Sequence, residues 1–125
     1  LVLAALWVGP ALVWRPLPLE GEPPSDGLLR ASGAVHIHTT LSDGAGTPEY
    51  VAQVGREAGL SFLALTDHDT AGAPLPDGYR DGMLVLVGAE ISTHQGHLLG
   101  LGMQPITFPL AQDARLALED VRYLG

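Results

Sequence analysis

The sequence contains no cysteine and no lysine among its 125 residues. Without cysteine there is neither a disulfide framework nor a thiolate ligand, so any metal must be held by His, Asp and Glu. The 14 acidic residues outnumber the 6 arginines and give a net charge of −8, which argues against nonspecific nucleic-acid binding through a basic surface. Because bound divalent cations invert the field of an acidic site, such a chain can still bind a phosphate ester. The composition therefore favours a protein that binds metal ions.

The sequence also lacks an initiating methionine, and its first residues, LVLAALWVGPALVW (1–14), are apolar throughout. They fall short of the ~20 residues that span a bilayer core. We interpret them as a truncated membrane anchor or signal segment, because Trp7 and Trp14 suit a membrane interface. A buried core helix is the alternative, although Gly9 and Pro10 fit poorly in either kind of helix. We therefore expect an N-terminal fragment of a membrane-anchored or exported protein of bacterial type, on an unknown side of the membrane.

Prolines and scattered acids in residues 15–32 predict an extended linker, so the folded domain is expected to span residues 33–125. Strands are predicted at 34–38, 61–66, 83–91 and 97–103, and helices at 47–59 and 110–124. The stretch 70–81 is too rich in Gly and Pro for a full crossover helix, and predicts a loop or a single turn. Because the second and third strands are nearly continuous apolar runs, which is typical of parallel strands, we predict an α/β barrel or an open sheet.

The first predicted helix has clear boundary signals. Residues 47–49, TPE, supply an N-cap, a first-turn proline and an early acid. Val51, Val54 and Ala58 give the helix one apolar stripe, and Gly59 ends it.

Two of the five histidines, His36 and His38, lie two residues apart in the first predicted strand. Alternate side chains of a strand face the same side, about 6 to 7 Å apart along it. The pair can therefore converge on one ion, while Val35 and Ile37 face the opposite layer.

The remaining candidate ligands follow the other predicted strands. Asp43 comes after the first strand, Asp67, His68 and Asp69 after the second, Glu90 closes the third and His97 opens the fourth. Functional groups of parallel α/β folds gather at the carboxyl ends of the strands, so these residues are expected to meet. His97 is the exception, and either a misplaced boundary or a strand of opposite direction would account for it.

Each candidate has a plainer interpretation. His94 suits a solvated loop, and Asp67 and Asp69 could cap the turn after a strand. Glu90, however, ends a strand that looks buried, where a carboxylate needs a cation or hydrogen-bond donors. Four histidines and two acids at successive strand ends favour a metal site.

Four ordered motifs resemble the PHP superfamily, the polymerase and histidinol phosphatase domain. They are HIHTTLSDG (36–44), LTDHDT (65–70), GAEIS (88–92) and GHLLGLG (96–102). The closest branch is that of small metal-dependent phosphoesterases and their carbaryl-hydrolase-like relatives. The resemblance covers residues 33–102 and implies the N-terminal part of a distorted (β/α)7 barrel, with two or three divalent ions (Mn, Fe or Zn) at its C-terminal mouth.

The resemblance also implies a role for each motif residue. The first ion would be bound by His36 and His38, the second by His97 and the third by Asp43 and His68, with Glu90 bridging the first and second. Asp67 and Asp69 would act indirectly by orienting His68. The family has further ligands, a later histidine and a D-x-H motif, beyond the end of this sequence. The fragment alone is therefore expected to be inactive.

The implied activity is that of a phosphoesterase, in which a metal-bridging hydroxide attacks the phosphorus of a small substrate such as a nucleotide or an aryl phosphate. A membrane tether is the other expected partner. The rival amidohydrolase barrel also begins with H-x-H, but its usual binuclear form needs a lysine, which this sequence lacks. Two alternatives stay open: a carbamate or carboxyl-ester hydrolase of the same fold, and a non-catalytic metal-binding accessory domain.

Overall fold

The computed structural model describes residues 26–70 and 76–125. Its elements in chain order are β1 (Gly33–Ile37), α1 (Pro48–Glu57), β2 (Phe62–Leu65), β3 (Gly78–Arg80), β4 (Met83–Val87), β5 (Ala89–Thr93), β6 (Gly96–Gly100) and α2 (Ala114–Leu124). The predicted α/β class is confirmed. The strands of the described residues form two separate sheets, so the closed barrel stays a prediction.

The larger sheet has the strand order β1-β2-β4-β3. The pairs β1/β2 and β2/β4 are parallel, so the carboxyl ends of these three strands meet at one edge. β3 runs antiparallel to β4, and its presence shows that the loop predicted for 70–81 is wrong in its last part. The turn between them has Asp81 at φ 47° and Gly82 at φ 87°. Positive φ at both positions is what a tight two-residue hairpin requires, and Asp-Gly is a favoured pair for it.

The apolar run predicted as one strand at 83–91 is divided at Gly88 into β4 and β5. The Gly88 N–H donates to the Leu65 carbonyl at 2.8 Å. A Cβ atom at this position would lie 2.1 Å from the Gly100 carbonyl oxygen, so only glycine allows this approach. The chain thereby leaves the first sheet and enters the second.

The second sheet is an antiparallel hairpin of β5 and β6. The strand predicted at 97–103 therefore exists but runs opposite to β5, which was one of the two explanations for the position of His97. In the register of the hairpin, His97 lies opposite Ser92, and Glu90 lies opposite Leu99. The start of β6 is thus placed beside the end of β5.

Each sheet packs against one helix. The first core joins α1 to the larger sheet through Ala52, Leu63, Leu65, Met83 and Val85, and the second joins α2 to the hairpin through Ala89, Ile91 and Ala117.

The predicted N-cap of α1 is confirmed, because the Thr47 side chain accepts a hydrogen bond from the Tyr50 N–H at 3.2 Å, whereas the helix ends at Glu57, before the predicted Gly59. Its predicted stripe is partly wrong: Val54 is exposed, and the buried positions are Pro48, Ala52 and Gly55. Small side chains face the sheet here because they let the helix approach it closely.

The expectation of a membrane-anchored or exported protein is corrected. Across residues 26–70 and 76–125 no helix is long and apolar enough to cross a membrane. The apolar segment 1–14, on which that expectation rested, lies outside the described residues, as does most of the linker 15–32.

Candidate metal centre

β1 carries His36, and His38 directly follows its last residue, but the strand is not regular. The pairing with β2 shifts register between Ala34 and Ile37, and His36 has a φ of 61°. Val35 is 55% exposed rather than packed, which differs from the expected alternation. Non-glycine residues at positive φ cost about 1–3 kcal/mol and persist where the surroundings hold them. In this chain the irregular backbone aims His36 toward the carboxyl edge of the sheet.

Glu90 is the point on which the histidines converge. Its side chain is 5% exposed, and its Oε2 atom lies 2.9 Å from His36 Nε2 and 2.7 Å from His38 Nε2. Its Oε1 atom lies 2.5 Å from His97 Nδ1, and His68 Nδ1 is 3.7 Å from Oε2. The antiparallel hairpin explains the His97 contact, since Glu90 and His97 are diagonal neighbours on one face of it.

The four imidazoles form a continuous row above this carboxylate. The ring centroids of His36 and His38 are 5.2 Å apart, those of His38 and His68 4.6 Å, and those of His68 and His97 5.0 Å. Asp43 approaches the middle of the row from the loop after β1, with its carboxylate 2.6 Å from His38 Nδ1 and 3.9 Å from His68 Nε2.

Within the described residues, three triads of side chains have ligand atoms close enough to hold one metal ion. We call these groups the first, second and third triads: His36, His38 and Glu90; His68, Glu90 and His97; and His38, Asp43 and His68. In each triad the ligand atoms lie within 4.8 Å of one another. The structure therefore brings together all six residues that the resemblance implied as ligands. Sharing of His38 and His68 between triads is a feature that the sequence did not predict.

Asp67 and Asp69 contact groups other than the His68 imidazole that they were expected to orient. The buried Asp67 carboxylate accepts hydrogen bonds from the Thr39 N–H at 2.6 Å, the Thr39 hydroxyl at 2.8 Å and the Ser42 hydroxyl at 2.6 Å. Asp69 accepts one from the Ser92 N–H at 2.8 Å. A buried carboxylate requires donors, and the loop after β1 supplies them. Asp67 thus fixes the loop that carries Asp43.

His94 lies exposed in the turn between β5 and β6 and belongs to none of the three triads. This position agrees with the solvated-loop interpretation.

Comparison with known proteins finds curated relatives in several bacteria. The 5'-3' exoribonuclease Rnm of Escherichia coli (strain K12) is 41% identical over 85 residues, which are 61% of this chain and 29% of that protein. The phosphoribosyl 1,2-cyclic phosphate 1,2-diphosphodiesterase of Eggerthella lenta is 37% identical over 79 residues, 56% of this chain and 30% of the relative. The 3',5'-nucleoside bisphosphate phosphatase of Chromobacterium violaceum is 37% identical over 102 residues, 73% of this chain and 36% of the relative.

These relatives are phosphoesterases of the PHP superfamily. The resemblance of the chain to the PHP superfamily is confirmed. The chain spans about a third of the length of each of these relatives. No family model and no solved structure matches it. The narrower placement in the carbaryl-hydrolase-like branch of the PHP superfamily stays a prediction.

The electrostatics of this PHP-like cluster favour ionised carboxylates. Burial raises the pKa of Glu90, but hydrogen bonds with His36 and His97 and the nearby imidazole charges outweigh it and bring the pKa to about 2. The hydrogen bond between His38 and Asp43 raises the pKa of the imidazole and lowers that of the carboxyl. Both carboxylates are therefore charged at neutral pH, as metal ligands must be.

Whether the cluster fits a cation can be judged from two of its buried ring nitrogens. His38 Nε2 and His68 Nδ1 are buried and make no hydrogen bond. The first lies 2.7 Å from a Glu90 oxygen, but the angle is not that of a hydrogen bond. Unpaired buried nitrogens beside a buried carboxylate fit a divalent ion, which would use each nitrogen's lone pair. The donor set, imidazole and carboxylate without thiolate, suits Mn, Fe or Zn.

Proposed function

We propose that this protein is a metal-dependent phosphoesterase that hydrolyses a small phosphate ester. The observation that carries the proposal is the buried Glu90, whose two oxygens face four imidazoles from three different segments of the chain. A buried carboxylate with a purely structural role needs only a few hydrogen-bond donors, whereas Glu90 faces four imidazoles. The resemblance to PHP phosphoesterases supports a role of this cluster in binding metal for phosphate-ester hydrolysis.

The triads support the assignment of six residues to two or three divalent ions. We assign the first ion to His36 and His38, the second to His97 and the third to Asp43 and His68, with Glu90 shared between the first and second. His38 and His68 each belong to two triads, but a neutral imidazole ligates through one nitrogen, so each would bind one ion and leave its N–H to donate to a carboxylate.

When bound, the ions would activate the attacking water, orient the phosphoryl group and neutralise charge on the leaving oxygen. The residues of the chain hold the ligand side chains in position. Glu90 is held in a single position by its burial and its histidine contacts, and Asp67 holds the loop from which Asp43 reaches the third triad. Because the protein brings the ligands together before substrate arrives, little reorganisation is needed.

The relatives indicate the substrate class. Their names describe a 5'-3' exoribonuclease, a phosphoribosyl cyclic phosphate diphosphodiesterase and a nucleoside bisphosphate phosphatase. The substrates that these names describe are RNA, a phosphoribosyl cyclic phosphate and a nucleoside bisphosphate, all of them phosphate esters. We therefore propose a nucleotide or another small phosphate ester as the substrate.

The direct test replaces His36 and His38 together with Ala in the full-length protein. Metal content by mass spectrometry and turnover of phosphate esters should both fall, because the first triad loses two of its three ligands. His94→Ala is the matched control, since this exposed histidine lies outside the triads. Unchanged metal content and turnover in the double variant would overturn the proposal.

A carbamate or carboxyl-ester hydrolase is the alternative, since the same metal-activated water can attack a carbonyl carbon. A panel of nucleotides, aryl phosphates and aryl carbamates separates the two activities. Faster turnover of the carbamates than of every phosphate would favour the alternative.

A further inference from the structure

A pocket of about 260 Å³ lies beside the metal centre, between β5 and the segment that leads to α2. The residues that matter for its chemistry are Asp69, Ser92, Ile106, Phe108, Leu110 and Gln112. Apolar walls with a few polar groups are typical of sites for small molecules. The volume is at the small end of such sites, which suits a single ring system rather than a macromolecule.

The pocket shares a wall with the second triad. Asp69 directly follows His68 in the chain, and Ser92 lies opposite His97 in the hairpin register. The Asp69 carboxylate accepts a hydrogen bond from the Ser92 N–H at 2.8 Å, which ties the two sides of this wall together. A substrate whose phosphate is held at the second triad would therefore have its remaining part next to the pocket.

The pocket offers a flat apolar surface and a limited set of polar groups. Phe108 is half-buried, and its ring meets Tyr123 in an edge contact with centroids 6.3 Å apart and planes at 61°. Ile106 and Leu110 are partly buried against the second core, and this packing holds their side of the pocket in place. Asp69 adds a carboxylate.

We infer that this pocket binds the nucleobase of a nucleotide substrate, with the base against Phe108 and its amino group toward Asp69. The inference rests on the proposed phosphoesterase function and names the part of the substrate that sets specificity. Aromatic side chains stack on bases of every sequence, and carboxylates accept hydrogen bonds from exocyclic amino groups. The arrangement gives the enzyme a preference for nucleotides over plain sugar phosphates.

The test is calorimetric binding of AMP and ribose 5-phosphate to the full-length protein in Mn²⁺. The wild type should bind AMP more tightly by roughly 5- to 150-fold, the range expected for one stacked base. Phe108→Leu keeps an apolar side chain. In this variant the dissociation constant of ribose 5-phosphate divided by that of AMP should fall toward one. Phe108→Tyr should keep the ratio, because the aromatic face is retained. Thermal unfolding of both variants checks that they are folded.

Equal affinities of the wild type for AMP and ribose 5-phosphate would overturn the inference, as would an AMP preference that survives Phe108→Leu. The first of these results is expected if another part of the protein fills the pocket. Turnover is measured on the same samples, so the two proposals fail separately. A base preference without hydrolysis of any phosphate ester contradicts only the phosphoesterase, whereas hydrolysis without a base preference contradicts only the pocket assignment.

Discussion

The hydrogen bonds of Asp67 predict a large loss of stability in Asp67→Ala. This carboxylate is 3% exposed and accepts three hydrogen bonds, two from Thr39 and one from Ser42. Removing it leaves the N–H and the hydroxyl of the fully buried Thr39 without their acceptor, whereas the half-buried Ser42 hydroxyl can turn to water. Each buried unsatisfied group costs about 1–3 kcal/mol, so the expected loss is about 2–6 kcal/mol. That is a large share of the roughly 5–15 kcal/mol by which a domain is stable.

Urea denaturation of the full-length protein measures this loss as a fall in the midpoint at unchanged slope. Asp67→Asn keeps a carbonyl for the Thr39 N–H and turns its amide toward the Thr39 hydroxyl, which can accept. It should cost only about 0.5–1.5 kcal/mol, and it stays measurable if the Ala variant does not fold. The control is Arg56→Ala, which removes the exposed 2.7 Å ion pair with Asp81 and should cost about 0–1 kcal/mol. A loss below about 1 kcal/mol for a folded Asp67→Ala would show that these hydrogen bonds contribute little to stability.

Two further predictions concern the hairpin and the second helix. His97→Ala should lower the metal content of the full-length protein, because it removes a second-triad ligand, whereas His94→Ala in the adjacent turn should leave it unchanged; an equal fall in both would show a general effect on the hairpin. Asp113 caps α2, and the hydrogen bond from the Leu116 N–H together with that from Gln95 lowers its pKa. A carboxyl whose folded pKa is depressed stabilises the fold above its unfolded pKa of about 4 and loses this contribution as pH falls through the folded value. The difference in Tm between wild type and Asp113→Ala should therefore be larger at pH 7 than at pH 2.5, and a difference that grows on acidification would contradict the capping role.

The proximity of the candidate ligands could be predicted from the sequence, because the ends of its strands are visible as the ends of apolar runs. Parallel strands place their carboxyl ends at one edge, so residues that follow successive apolar runs are brought together. His36, His68 and Glu90 meet for this reason. The contact of His97 depends on the direction of β6, which the apolar pattern of a single strand does not encode.

The division of residues 83–91 into two strands was missed because one glycine does not interrupt an apolar run. What decides it is the approach of Gly88 to Gly100, a contact between distant segments. The hairpin at Asp81 and Gly82, by contrast, carried a local signal, since Asp-Gly favours a tight turn. The glycines and prolines around this pair predict a loop more strongly than the pair predicts a hairpin.

The geometry of the metal centre depends on long-range contacts that no local pattern contains. The positive φ of His36 has no signature in the sequence, because a histidine within an apolar strand pattern predicts extended backbone. The partners of the Asp67 carboxylate are Thr39 and Ser42, 28 and 25 residues earlier in the chain. The sequence therefore placed Asp67 near the site but assigned its carboxylate to the wrong neighbour.

The substitution Glu90→Gln tests whether this cluster holds divalent metal for phosphate-ester hydrolysis. Glu90 is shared by the first and second triads, and Gln preserves its shape while removing the charge. Metal content per chain should be measured by mass spectrometry after loading with Mn²⁺ and gel filtration, with turnover of AMP recorded on the same samples. We expect at least two ions per wild-type chain, loss of ions in Glu90→Gln, and turnover that disappears with them. A wild type that retains no metal, or a Glu90→Gln variant with full metal content and turnover, would contradict this expectation.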